Sequence, residues 1–129
     1  MQHNRDVASL PPSGPWSGYY EYAHDGAKYR MKLGLTFASS GTIEGEGIDD
    51  IAPFTINGFL DAAANQAYWK KSYIGMHSVE YYGLYDGRLI SGNWTLRGLS
   101  GSFRIWPSAV EDEETVYEQI EEPTEVVLV

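Results

Sequence analysis

Apolar and polar residues alternate along most of the chain between residues 16 and 106. The alternation is strictest over residues 27–38, where five apolar side chains between Tyr29 and Phe37 fall on one face. A period of two residues is typical of a β-strand with one buried face. An α-helix would not separate these residues onto two sides, so the pattern predicts an all-β domain.

Turn residues divide this region into eight predicted strands. Asp25-Gly26 and Asp86-Gly87 are the strongest hairpin signals, because glycine tolerates the positive φ of tight hairpin turns. Connections this short force neighbouring strands to be antiparallel. The predicted strands cover residues 16–24, 27–38, 42–48, 54–61, 66–74, 77–85, 88–97 and 102–106.

The predicted fold is an eight-stranded antiparallel up-and-down barrel. Eight strands can close around a filled interior or around a hollow the size of one small ligand. An open sandwich of two sheets is the structural alternative. The domain organisation follows from composition: residues 1–13 are predicted to be a flexible, disordered N-terminal arm, residues 14–107 the β-barrel, and residues 108–129 an acidic C-terminal tail.

Charge is distributed unevenly between the barrel and the tail. The net charge is −9, yet residues 1–107 carry nine basic and ten acidic side chains. Residues 108–129 carry eight acidic side chains and no basic one. An acidic field repels nucleic acid and anionic membranes, so neither is expected as a partner.

The tail is expected to be solvated, without a fixed position against the barrel through residue 125. Residues 126–129 are four consecutive β-favouring residues. They leave open a second interpretation, in which they pair with a strand edge or with another chain.

Several sites and locations are disfavoured by composition. The chain has no cysteine, which excludes disulfides and thiolate metal sites. No apolar stretch approaches the roughly 20 residues of a membrane span, and the first 15 residues lack the apolar core of a signal peptide. We therefore expect a soluble, cytoplasmic protein.

Gly14-Pro15-Trp16 matches the Gly-x-Trp opening of calycins, the superfamily of lipocalins, fatty-acid-binding proteins and avidins. Residues 69–73, followed by His77-Ser78 and Tyr82, resemble the avidin stretch Trp-Lys-x-x-Tyr…His-Ser…Trp. Asn93-Trp94 is similar to the next tryptophan strand of avidins. The resemblance covers scattered positions and implies a ligand-binding barrel.

The avidin-type biotin partners are incomplete in this sequence. Gly18 stands where avidins have Asn, Ile43 where they have Tyr, and Glu80 where they have Thr, so biotin binding is not predicted. Calycins also often pack a basic side chain of the last strand across the opening tryptophan. The resemblance implies that Arg104 packs on Trp16 in this way.

Aromatic residues dominate the candidate chemistry, and the alternation places many of them on the inner side of the barrel. An aromatic-lined hollow with a few polar groups is typical of a small-molecule site, whereas a filled core is the alternative. A buried lysine is costly unless paired, so Lys71 indicates an anionic ligand or an internal carboxylate. The candidate ligand-binding residues are Trp16, Tyr20, Trp69, Lys71, Tyr73, His77, Tyr81 and Trp94.

Two registers compete for the sixth strand. Hydrophobicity directs Val79, Tyr81 and Tyr85 inward, whereas the avidin resemblance directs Ser78, Glu80 and Tyr82 inward. We favour the first register because it gives the more apolar inner face.

Three functions remain open from sequence alone. The first is non-enzymatic binding of an apolar or planar small molecule of unknown identity. The second is a protein-interaction or structural barrel with a filled interior, and the third is an enzyme using the barrel mouth. No catalytic constellation is found, and no cofactor is expected. The three histidines lack metal-ligand spacing, so no metal site is predicted.

Overall fold

The computed structural model describes residues 10–108 of the 129-residue chain. Within this range the protein contains eight β-strands and no helix, and so no helix that could cross a membrane. The strands are β1 (Gly14–Tyr22), β2 (Lys28–Phe37), β3 (Thr42–Asp49), β4 (Pro53–Asp61), β5 (Gln66–Tyr73), β6 (Ser78–Tyr85), β7 (Ile90–Leu96) and β8 (Leu99–Pro107).

The eight strands form one closed barrel in chain order. Each strand pairs antiparallel with its neighbours in sequence, and β8 returns to pair antiparallel with β1. The predicted eight-stranded up-and-down barrel is confirmed, and the open sandwich is wrong. Because the ring is closed, the described strands offer no free edge. The alternative in which residues 126–129 pair with a strand edge or another chain concerns residues outside the described range.

Two hairpin turns lie where the sequence predicts them, whereas a third lies at a position that the sequence analysis did not predict. Gly26 and Gly87 adopt the positive φ predicted for them, +70° and +99°. Arg97 and Gly98 both have positive φ, as a two-residue type I′ turn requires, and they join Leu96 directly to Leu99. β8 therefore begins at Leu99, three residues earlier than predicted.

The glycine at position 101 explains why β8 could be mistaken for a loop. Gly101 lies within the strand and pairs with Trp94 on β7. A side chain at this position would collide with the backbone oxygen of Glu21 and with the Trp94 indole. The glycine marks a close approach between strands, although in sequence it is typical of a turn.

Large side chains fill the middle of the barrel. The Trp69 and Tyr81 rings stack with centroids 5.6 Å apart and planes 14° apart. Phe103 meets both rings edge-on, at 5.4 and 4.9 Å. Burying a side chain of this size stabilises the fold by roughly 1.5–3 kcal/mol, so the inner aromatic residues form a core.

One end of the barrel, where β1 begins, is covered by the segment that precedes β1. The Trp16 indole N–H donates to the backbone oxygen of Pro12 at 2.9 Å, and the Phe37 backbone N–H donates to the Ser13 hydroxyl at 2.9 Å. Leu10 packs against the core. Residues 10–13, assigned to the arm by sequence, thus contact the barrel; residues 1–9 lie outside the described range.

Two expectations concern the last strand and the tail. The Ser108 backbone N–H donates to the Pro15 backbone oxygen, and the expected lack of a fixed position for the tail lies beyond this residue, outside the described range. The expected packing of Arg104 on Trp16 is wrong. Trp16 points inward, whereas Arg104 is exposed and pairs with the outward-facing Tyr19, so the two side chains lie on opposite faces of the wall.

Candidate functional site

The structure buries all of the predicted interior residues except His77. His77 is partly buried and lies in the loop between β5 and β6, where its ring is 5.1 Å from that of Tyr73. The buried residues are Trp16, Tyr20, Trp69, Lys71, Tyr73, Tyr81 and Trp94.

The register of β6 follows hydrophobicity. Val79, Tyr81 and Tyr85 are buried, whereas the Tyr82 side chain is 51% exposed. The register taken from the avidin resemblance is therefore wrong by one residue. The physical reason is that the period-two alternation places the most apolar set of side chains on the inner face.

Six of the eight candidate residues surround one small hollow at the second end of the barrel, where β1 ends. Trp69 lies deeper, in the stacked core, and Trp16 lies at the other end. The hollow has a volume of about 20 Å³, which is room for about one water molecule. Its candidate residues are Tyr20, Lys71, Tyr73, His77, Tyr81 and Trp94, joined by Tyr22, Ile51, Val79 and Leu96.

Lys71 is the central polar group at this end. Its side chain is 1% exposed, and its ammonium lies 2.6 Å from Oδ2 of Asp49. The ammonium also donates to the Met31 sulfur at 3.6 Å. Four rings surround it with centroids 4.5–5.1 Å away, close enough for cation–π attraction. These rings belong to Tyr20, Phe54, Tyr73 and Tyr81.

Asp49 ties the loop between β3 and β4 to this cation. Its Oδ2 also accepts a hydrogen bond from the Tyr73 hydroxyl at 2.6 Å. Its Oδ1 accepts the backbone N–H groups of Ile51 and Ala52, at 2.9 and 3.4 Å. The neighbouring Asp50 accepts the Tyr20 hydroxyl at 2.7 Å. We call Lys71, Asp49, Asp50, Tyr20 and Tyr73 the lysine cluster.

Sequence reasoning missed both aspartates, because the strand pattern predicts that β3 ends at residue 48, before Asp49 and Asp50. A signal was present in β3, where Ile43 is buried and the inward phase continues through residues 45 and 47 to Asp49. Asp49 pairs with the inward-facing Met31, as this phase requires. The internal carboxylate that Lys71 indicated is therefore supplied by the last residue of β3.

Burial shifts the pKa values of the cluster. It lowers the pKa of the Lys71 ammonium, and attraction to Asp49 partly offsets this shift. Burial raises the pKa of the Tyr20 and Tyr73 phenols, and their hydrogen bonds to Asp50 and Asp49 raise it further. Burial also raises the pKa of Tyr81. The phenols thus remain hydrogen-bond donors, and each residue of the cluster has a charged or hydrogen-bonding partner within it.

A second aromatic group lies on the outside of the barrel. Phe59, Tyr68 and Tyr82 are directly opposite one another on β4, β5 and β6, with ring centroids 5.5 and 5.0 Å apart. We call them the outer aromatic row. Phe59 is 57% and the adjacent Leu84 55% exposed. Sequence reasoning did not identify this row, although the outward phase of the same strands contains it.

The outer aromatic row lines a shallow groove of about 660 Å³ across β4 to β7. Polar side chains border the groove, and Glu80 accepts a hydrogen bond from the Tyr82 hydroxyl at 3.0 Å. Lys70 pairs with Glu80 in the sheet, so opposite charges adjoin one side of the row. The polar lining residues are Asp61, Gln66, Ser91 and Asn93.

Comparison with known proteins assigns no function to the lysine cluster or to the outer aromatic row. No protein-family model matches the chain, and no curated protein matches it significantly. Within residues 10–108 there is also no group of three or more His, Asp or Glu side chains arranged to hold a metal ion.

Proposed function

We propose that this protein is a non-enzymatic interaction barrel whose outer wall binds a protein partner through the outer aromatic row and Leu84. The observation that carries the proposal is the exposure of these side chains above an interior that is already filled. Large exposed aromatic side chains in one contiguous patch are typical of interaction surfaces, and Tyr and Phe are enriched at interface cores.

The interior supports this function because it leaves little room for a small-molecule ligand and its polar groups already have partners. The hollow at the lysine cluster holds about 20 Å³, far below the several hundred Å³ of a typical ligand pocket. Lys71 has its counter-ion in Asp49, and Tyr20 and Tyr73 each have an acceptor. The filled barrel then serves as a rigid support for the outer wall.

The chemistry of the wall favours a folded, largely uncharged partner surface. A peptide cannot add itself to the described sheet as a further strand, because the ring is closed. Lys70 and Glu80 pair beside the row, so they create little net field. The contact should therefore depend on apolar burial, and its affinity should change little with salt.

A photo-crosslinking amino acid placed at Tyr82 tests the proposal. The matched control carries the same group at Thr36, which is exposed on the outer face of β2. We expect one discrete protein adduct in host-cell extract from the Tyr82 position, at low and high salt alike, and none from Thr36. A Phe59→Asp substitution should abolish the adduct. Equal labelling from both positions, or persistence of the adduct with Phe59→Asp, would refute the assigned surface.

A second candidate function is small-molecule binding at the lysine cluster. It is favoured by the convergence of six candidate residues on one hollow that is bounded by the segment between β3 and β4. An anionic, planar ligand would replace the Asp49 carboxylate beside Lys71 when this segment moves outward. The up-and-down topology, and the burial of Trp16 after Gly14-Pro15, support a calycin relationship as part of this candidate.

Mass spectrometry of the purified, denatured protein tests the second candidate. A small molecule should be released from the native protein in a stoichiometric amount and should be absent from a Lys71→Met variant. Lys70→Met is the control, because Lys70 precedes it on the outer face. No released molecule, together with no ligand-dependent quenching of Trp94 fluorescence, would favour the filled interior.

A further inference from the structure

A second cavity opens at the end of the barrel where β1 ends, beside the hollow at the lysine cluster. It lies between the turn that joins β1 to β2 and the segment that joins β3 to β4, and its volume is about 330 Å³. A volume of this size is within the range of small-molecule sites. We call it the mouth cavity, and its lining residues are Tyr22, His24, Asp25, Tyr29, Asp50 and Ile51.

Two tyrosine rings form a corner of the mouth cavity. Tyr22 of β1 and Tyr29 of β2 have ring centroids 5.8 Å apart and ring planes 87° apart. Both side chains are partly buried against the core, so packing holds them in place while part of each remains accessible. The buried Tyr20 ring supports them, with its centroid 6.0 Å from that of Tyr22 and 5.3 Å from that of Tyr29. Ring faces at right angles can contact one small cation from two sides, as in an aromatic cage.

Two carboxylates line the mouth cavity, and no lysine or arginine of the described part of the chain lines it. Oδ1 of Asp50 accepts the Tyr20 hydroxyl at 2.7 Å, and Oδ1 of Asp25 accepts the Ala27 backbone N–H at 2.9 Å. Oδ2 of Asp25 lies 3.6 Å from Nε2 of His24, whose side chain is 67% exposed. Hydrogen bonds from uncharged donors thus hold both carboxylates at the rim of the cavity.

The negative charge of these carboxylates acts on the aromatic corner. Burial raises the pKa of the Tyr22 phenol, and the charges of Asp50 and Asp25 raise it further. Arg97 lies in the turn between β7 and β8 at the same end of the barrel, but it does not line the cavity. The mouth cavity therefore combines ring faces with negative charge, and this combination attracts cations.

The lysine cluster shows how this end of the barrel holds a cation. The Lys71 ammonium lies beside the Asp49 carboxylate and is surrounded by four aromatic rings. The mouth cavity contains the same two kinds of group. Tyr20 belongs to both arrangements, because its ring centroid lies 4.5 Å from the Lys71 ammonium and 5.3 Å from the Tyr29 ring. The mouth cavity differs in that no cationic side chain of the described residues lines it.

We propose that the mouth cavity binds a small molecule with a quaternary ammonium group, which contacts Tyr22 and Tyr29 and is attracted by Asp25 and Asp50. Aromatic cages are typical binding sites for quaternary ammonium ions. Such a group has no N–H, so it does not compete for the hydrogen bonds that both carboxylates already accept. The charge of the ligand then supplies the cation that the lining residues lack.

This site does not depend on either function proposed above. It lies at the end of the barrel, whereas the outer aromatic row lies on the wall across β4 to β6. It needs no movement of the segment between β3 and β4. Its ligand is a cation, whereas the candidate ligand of the lysine cluster is an anion.

Titration of the full-length protein with choline, followed through the amide signals by NMR at constant ionic strength, tests the inference. Choline supplies little more than the charged group, so we expect saturable binding with a dissociation constant of about 1–10 mM. The largest shifts should come from residues 22–29 and 50–51. The control ligand is the neutral isostere of choline, in which a tert-butyl group replaces the trimethylammonium group. It should bind at least about tenfold more weakly.

Two pairs of substitutions provide matched controls, with circular dichroism to verify that each variant is folded. Tyr29→Leu should weaken choline binding about fivefold or more, whereas Tyr29→Phe keeps the ring and should change it by less than about twofold. Asp50→Asn should weaken binding about twofold to fivefold. Glu44→Gln removes an exposed carboxylate on the outer face of β3 and should leave binding unchanged.

Three results would overturn the inference. The first is that choline does not saturate the wild-type protein, or that it shifts signals mainly outside the mouth cavity. The second is that choline and its neutral isostere bind equally well, which would mean that the charge has no role. The third is that Tyr29→Leu and Tyr29→Phe bind choline equally well, which would mean that the ring has no role.

Discussion

Lys70 and Lys71 are consecutive residues of β5, and they occupy opposite environments. Lys70 lies on the outer wall and is exposed, whereas Lys71 lies inside and is 1% exposed. Its ammonium is compensated by Asp49 and by four aromatic rings. The exposed Lys70 ammonium is solvated by water, whereas the buried Lys71 ammonium requires a counter-ion and aromatic contacts. The reason is that the free-energy cost of a charge depends on its removal from water.

Aromatic pairs on the same two strands repeat the comparison. Trp69 opposes Tyr81 inside the barrel, and Tyr68 opposes Tyr82 outside it. The inner rings stack with their planes 14° apart, and the outer rings are tilted by 41°. Both pairs form close ring contacts, but only Tyr82 remains accessible to a partner. The difference places the stabilising ring contacts on the inner wall and leaves the outer wall accessible to the proposed partner.

Alkaline pH should have the largest effect on the stability of the inner wall. The pKa values of Tyr20, Tyr73 and Tyr81 are raised above their ordinary value of 10.0. The folded state keeps these protons while the unfolded state loses them above pH 10. Each tyrosine then lowers the free energy of unfolding by about 1.4 kcal/mol per pH unit beyond that point. We expect cooperative unfolding as pH rises above 10.

Lys71 changes the free energy of unfolding in the opposite direction, and it does so over a lower pH range. Its folded-state pKa lies below 10.5, so its contribution to stability increases as pH rises toward 10.5 and is constant beyond it. Phenolate absorbance and circular dichroism, recorded together, check the prediction: phenolate formation by the inner tyrosines should coincide with unfolding, and Tyr82→Phe on the outer wall should not move the unfolding midpoint. Complete phenolate formation in the folded protein would contradict the assignment of the inner tyrosines.

Removing the Asp49 carboxylate, which is the counter-ion of Lys71, should have the next largest effect on stability. Asp49→Ala leaves the Lys71 ammonium buried without its carboxylate, which should lower the free energy of unfolding by about 3–5 kcal/mol. Urea denaturation measures this change. Asp50→Ala is the control, because it removes the hydrogen bond from Tyr20 and should cost about 1 kcal/mol. Similar losses of stability for both variants would mean that the ion pair stabilises the fold no more than the hydrogen bond from Tyr20 to Asp50.

Removing the cation should cost less than removing the carboxylate. In Lys71→Met, Asp49 keeps the Tyr73 hydroxyl and the backbone N–H groups of Ile51 and Ala52 as donors. We expect a loss of about 1–2 kcal/mol, since an apolar side chain of similar length fills the same space. Lys70→Met should change stability by less than about 0.5 kcal/mol. A larger loss for Lys71→Met than for Asp49→Ala would reverse this order.

Substitutions in the outer aromatic row should have the smallest effect on stability. Phe59→Ser and Tyr82→Ser should each change the free energy of unfolding by about 0.5 kcal/mol or less, because both side chains are mostly in water already. Phe59→Ser should nevertheless abolish the protein adduct formed by the crosslinking group at position 82. A thermal-unfolding midpoint that falls by more than about 8 °C would show that the row supports the fold.

Local alternation was sufficient to predict the strands and the direction of their side chains. It placed Lys71 inside and Tyr81 beside it, since a period of two follows from strand geometry alone. It could not pair Lys71 with Asp49, because these residues come from β3 and β5 and meet across the interior. It also could not decide between a filled and a hollow barrel, which depends on how side chains from all eight strands share the interior.

The Arg97-Gly98 turn shows a different limit. A non-glycine residue with positive φ is uncommon, so the residue pattern does not predict a two-residue turn there. The structure stabilises this conformation by aligning β7 and β8, whose pairing continues up to Leu96 and Leu99. Tertiary pairing thus overrides a local preference at this position.

The pairing of β1 with β8 has a consequence for how the protein is made. During synthesis β1 emerges first, and its second neighbour emerges only after the other six strands. Until then one side of β1 exposes unpaired backbone groups that can pair with other chains. Contacts between residues so far apart in sequence also slow folding. Ring closure should therefore be a late step, and a nascent chain stalled before residue 99 should be the form most prone to aggregation.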